Sequence, residues 1–129
     1  MNTFEQICFA GNHFDIGGSY PENESRLSGL TLKWMTDAAT TVVGGIKIDT
    51  ALLRLYPSAA GPQHDECRGS WTAGFWKKAP RWLVENATIH PSVEERFKLD
   101  AVLQYGVMIP YRPALRNQSE FVGYYRDRK

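Results

Sequence analysis

Three histidines, His13, His64 and His90, are the residues of this chain best suited to moving a proton near neutral pH. His13 stands in the stretch FAGNHFDIGGSYPE, residues 9–22, with Asp15 and the pair Gly17-Gly18. That stretch follows the apolar run Gln6-Ile7-Cys8-Phe9, which reads as a buried strand. A titratable cluster in a glycine-rich loop at a strand's end is a common way for an α/β scaffold to present chemistry. His13 is therefore a candidate general base; the competing reading is a glycine turn capped by a His and an Asp. A second cluster, His64-Asp65-Glu66, offers imidazole and carboxylate that would suit zinc or manganese together with His13 and Asp15. No HExxH or comparable spacing accompanies it, so a solvated loop is expected and neither a metal nor a cofactor is assigned. His90 precedes Pro91 and reads as a neighbour of a helix N-cap rather than a catalyst.

The elements that must position these residues fit one domain of 129 residues. With 43% hydrophobic and 22% charged residues, the composition is that of an ordinary globular protein. A net charge of +1 makes no electrostatic case for a nucleic-acid partner. The two cysteines, Cys8 and Cys67, form neither a disulfide framework nor a CxxC site, and Cys8 reads as a small core residue. The first residues lack the pattern of a signal peptide, and no apolar run approaches the ~18 residues of a membrane span.

The clearest helical pattern covers residues 27–43. Leu27, Leu30, Trp34, Ala38 and Val42 make one apolar stripe, which Met35 and Ala39 widen, so Trp34 and Met35 are expected in the core. Ser28 is the expected N-cap and Gly44-Gly45 the stop. Residues 50–56 read as a second short helix closed by Pro57, and residues 57–69 as a long loop. Residues 70–84 interleave Trp71, Phe75, Trp76 and Trp82 with Lys77, Lys78 and Arg81; a lid or packed loop is expected, with a peripheral lipid contact as the alternative. Pro91 should open a further helix through Phe97. Residues 101–109 are a strand, or a helix ending near Gly106, and residues 110–113 are extended. Residues 116–129 form a polar tail, fraying from Gly123 onward. Together with Ile46-Lys47-Ile48 this is too little sheet for a free-standing α/β domain, so the pattern is that of the end of a larger fold.

In order, FAGNHFDIGGSYPE, LSGLTLKWMTDAA, GPQHDE, IHPSVEERF and YRPAL resemble one α/β-hydrolase-type family, which includes phospholipase effectors of the type VI secretion system. The resemblance spans residues 6–115, and its first element is the most specific. It implies the C-terminal part of an α/β-hydrolase-like fold, a short strand followed by helices and long loops. The family uses a serine in a GxSxG elbow, an acid and then a histidine in a GxHxDxGG segment. By that order the histidine is His13, and Gly11, Asp15, Gly17 and Gly18 match the same motif. Phe14 departs from it where a small polar residue is expected, and no GxSxG occurs in this sequence. The resemblance thus implies a serine-hydrolase fragment, inactive alone, with a lipid or ester substrate and a partner chain or domain bearing the nucleophile. It implies a cytoplasmic protein, or one exported by the type VI route without a signal peptide. The other function class is a non-catalytic interaction module that keeps the scaffold without the chemistry.

Overall fold

The computed structural model describes residues 4–65, 79 and 81–126. Most of the aromatic and basic stretch at 70–84 lies outside these residues, as do Glu66 and Cys67. The order is α1 (His13–Gly17), a 3-10 turn (Glu22–Glu24), α2 (Arg26–Thr41), α3 (Pro91–Lys98), β1 (Val102–Gln104), β2 (Val107–Ile109) and a 3-10 helix (Ser119–Tyr125).

The expected strand at residues 6–9 is reduced to a single parallel bridge between Cys8 and Ile89. The Cys8 amide donates to the Thr88 carbonyl, and the His90 amide donates to Cys8. Residues 46–48 form no strand, and residues 50–56 form a turn at Thr50–Leu52 and then irregular chain, not a helix. The only ladder among the described residues is antiparallel, β1 with β2, in the register Val102↔Ile109 and Leu103↔Met108. Its two-residue loop is Tyr105 (φ 56°) and Gly106 (φ 80°), the doubly left-handed turn that matches strand twist. That turn decides residues 101–109 in favour of strand over helix.

Helix α2 begins at Arg26, with Ser25 rather than Ser28 at the N-cap position. It ends at Thr41, just before Gly44 takes φ 74° and turns the chain back so that the Ile46 amide reaches the Ala39 carbonyl. The helix buries Leu27 and Gly29, and Trp34 sets its ring edge-on to Phe9 at 6.1 Å. Met35, expected in the core, is 57% exposed, and Leu32, Val42 and Val43 are exposed as well.

The core lies in the second half of the chain: Val93 and Phe97 of α3, Val102 of β1, Tyr111, Leu115 and Phe121, with Ala10 as the N-terminal contribution. Helix α3 starts as its sequence requires. Pro91 occupies the first turn, and the His90 ring accepts the Ser92 amide, so His90 is the cap itself. Residues 119–125, expected within a polar tail, instead fold as a 3-10 helix that buries Phe121 and packs Tyr124 and Tyr125 against Phe97. Buried Gln118 braces this helix to the chain before α3, donating to the Val84 carbonyl and accepting from the Ala87 amide.

Candidate functional site

A five-residue helix is too short to persist on its own, and α1 is held by its caps. The Asn12 side-chain oxygen accepts the amides of Phe14 at 2.9 Å and Asp15 at 2.8 Å. Asp15 reaches back to the Asn12 amide at 3.1 Å, completing a reciprocal capping box. Gly18, at φ 82°, ends the helix and donates to the Phe14 carbonyl. Gly17 is the last helical residue and has no positive φ, so the tight turn expected of the pair belongs to Gly18 alone. Gly11 adopts φ 122°, and a Cβ there would lie 2.5 Å from Asp15 Cβ. Gly11→Ala should therefore displace Asp15 and destabilise the protein by about 1–3 kcal/mol, whereas Gly17→Ala, with nothing near its Cβ, should be neutral or stabilising. Equal urea midpoints for the two variants would refute this assignment.

The structure brings Asp15 together with His64, 49 positions away. Asp15 is 2% exposed, and its Oδ1 lies 2.7 Å from His64 Nδ1 while its Oδ2 accepts the His64 amide at 3.2 Å. His64 Nε2 lies 3.2 Å from Glu24 Oε2 in the 3-10 turn. The Tyr20 ring stacks on the imidazole at 3.6 Å, and the Asn12 side-chain amide donates to both the Tyr20 hydroxyl and the His64 carbonyl. His90 is also engaged: its Nδ1 meets the Ser92 amide and hydroxyl, and its ring stacks on Phe9 at 4.5 Å. Burial lowers its pKa, and the charge of Glu95 only partly offsets this.

His13 differs from both. It is the first residue of α1, it is exposed, and its ring touches Phe14 at 4.1 Å. Among the described residues, neither of its nitrogens makes a hydrogen bond. The metal arrangement of His13, Asp15 and His64 does not form: no group of three or more His, Cys, Asp or Glu among the described residues could hold an ion. Arrangement and chemistry therefore divide, with one histidine open to solvent and two tied to carboxylates or a helix cap.

Residues 1–38 match the family model of the type VI secretion system phospholipase effector, Tle1-like, catalytic domain. The match links the N-terminal segment, with His13, Asp15 and most of α2, to that family. Neither the curated proteins nor the solved structures contain a match to this chain. Among the described residues, no helix is long and apolar enough to cross a membrane.

Sequence reasoning singled out His13, Asp15 and the glycines but missed Asn12, Tyr20 and Glu24. The spacing of Asn12 and Asp15, cap to N3, was a usable signal for the first of these. Nothing local marks Tyr20 or Glu24 as neighbours of His64.

Proposed function

We propose that this chain supplies the histidine of a phospholipase-type serine ester hydrolase, with His13 as the general base. The observation that carries the reading is the family match over residues 1–38, which contains the GNHFDIGG segment. Geometry supports the choice of histidine. A base must keep a ring nitrogen available to the nucleophile; among the described residues neither nitrogen of His13 is hydrogen-bonded, whereas His64 faces a carboxylate with each of its own. His13 would take the serine proton as the ester is attacked and return it to the leaving alcohol. The serine would come from a GxSxG segment outside this sequence, placed against the exposed start of α1. The scaffold that would present the two is the α/β-hydrolase fold, of which this chain would be the C-terminal part.

The test is phospholipid cleavage by the purified chain, alone and with a GxSxG-bearing segment from the same family. Cleavage by the pair alone is expected. No cleavage by a pair that associates would overturn the reading. A second reading, a non-catalytic interaction module, draws on the outer face of α2, where Leu32 (45% exposed) and Met35 (57%) are bare. A pair that binds through this face without hydrolysis would favour it.

A further inference from the structure

The loop of residues 57–65 is a strap between the two halves of the molecule. Arg96 of α3, fully buried, grips its middle through the Ala59 carbonyl at 2.7 Å and the Gly61 carbonyl at 2.6 Å. Gln63 pairs beside β1, donating to Leu103 and accepting from Tyr105. The strap then reaches α1 and the 3-10 turn through His64.

The chemistry of that last contact is constrained by proton count. A neutral imidazole carries one N–H and one lone pair, so in either tautomer it satisfies one carboxylate and turns a lone pair toward the other. His64 has a carboxylate oxygen at 2.7 Å from Nδ1 and another at 3.2 Å from Nε2. Only the imidazolium donates to both.

We propose that His64 is a positioning residue: as an imidazolium bridging Asp15 and Glu24, it clasps the strap over the turn that presents His13, and loss of its proton opens the clasp. Its link to catalysis rests on the hydrolase reading above; the clasp itself does not. The groups that face His64 are Asp15 of α1, Glu24 of the 3-10 turn and the Tyr20 ring, with Asp65 next to it on its own segment. From α3, Arg96 acts on Asp15 through its charge. Burial lowers the His64 pKa, but the hydrogen bonds and charges of Asp15 and Glu24 outweigh it, and the net direction is upward. A raised folded pKa means that the clasp's stabilisation is complete below the ordinary value of about 6.5 and is lost as pH rises through the folded value.

The experiment is a ring-nitrogen NMR titration of His64 in the whole chain, with thermal unfolding followed over the same pH range. His64 should remain doubly protonated above pH ~6.5. Tm should fall by roughly a few degrees through its midpoint and not in His64→Gln. Glu24→Gln, at an exposed position where folding is not at risk, should lower the midpoint. Protection of the Asp15 and Gly18 amides from hydrogen exchange should fall through the same midpoint. A His64 that is neutral at pH ~6.5, or a midpoint unmoved by Glu24→Gln, would overturn the proposal. None of these readouts uses ester cleavage, so an inactive pair leaves the clasp standing, and a neutral His64 leaves the hydrolase reading standing.

Discussion

His13→Ala in the assembled hydrolase is expected to lower phospholipid cleavage on the order of 10⁴-fold, with the protein's stability unchanged to within about 0.5 kcal/mol. Both halves of that expectation have a physical source. A general base that also protonates the leaving group has no substitute in bulk water, and residues acting as one catalytic unit lose nearly all of their effect together. The stability half follows from placement: His13 is exposed, makes no hydrogen bond among the described residues and sets its ring against that of Phe14. His90→Ala provides the contrast. It removes the cap of α3, so it should cost roughly 1 kcal/mol of stability while sparing the chemical step at a temperature where the protein is folded. The paired measurement is kcat and the urea midpoint for each variant. If His13→Ala retains the full rate, the base lies elsewhere and the hydrolase reading loses its residue.

Phe97→Ala is expected to be the most damaging single substitution to the fold, at about 3–5 kcal/mol. Phe97 is 1% exposed and stands at the centre of an aromatic group. Phe121 lies 4.7 Å away by ring centroid, Tyr124 5.1 Å, Tyr111 5.4 Å and Tyr125 5.9 Å, in tilted and edge-on geometries that favour aromatic contact. The Arg112 guanidinium covers the ring at 5.3 Å while donating to the carbonyls of Phe97, Tyr111 and Tyr124. Truncation would remove the α3 side chain that packs against the C-terminal 3-10 helix and leave a cavity between the two elements. Domains of this size have only ~5–15 kcal/mol of total stability, so the loss would bring the protein close to its unfolding threshold. Chemical denaturation followed by tryptophan fluorescence reads it directly. A loss under about 1 kcal/mol would mean that the C-terminal helix is not part of the cooperative core.

What could be read along the chain, and what could not, separates by the range of the forces involved. The start of α3 at His90-Pro91, the turn after α2 at Gly44 and the placement of His13 beside Asp15 rest on steric and hydrogen-bonding rules that act within about four residues. Those features were legible, and the family likeness in GNHFDIGG was legible for the same reason, because its residues are contiguous; that the segment expected as a loop would close into helix α1 was not. Where local rules competed, the reading went astray. An apolar run at residues 6–9 resembles a strand, but a strand needs a neighbour along its length, and only Cys8 finds one. The tyrosines at 124 and 125 look like part of a polar tail until Phe97 is placed beside them. The contact between Asp15 and His64 spans 49 positions, that of His64 with Glu24 spans 40, and the grip of Arg96 on the strap spans 35 and 37. Such pairings are chosen by the path the loop takes over a folded core, where a buried carboxylate or guanidinium must find a partner or bear the cost of desolvation. The sequence by itself placed a histidine beside an aspartate in a glycine-rich stretch; only the tertiary structure decided that this stretch would be a short capped helix whose aspartate meets a second histidine 49 positions away.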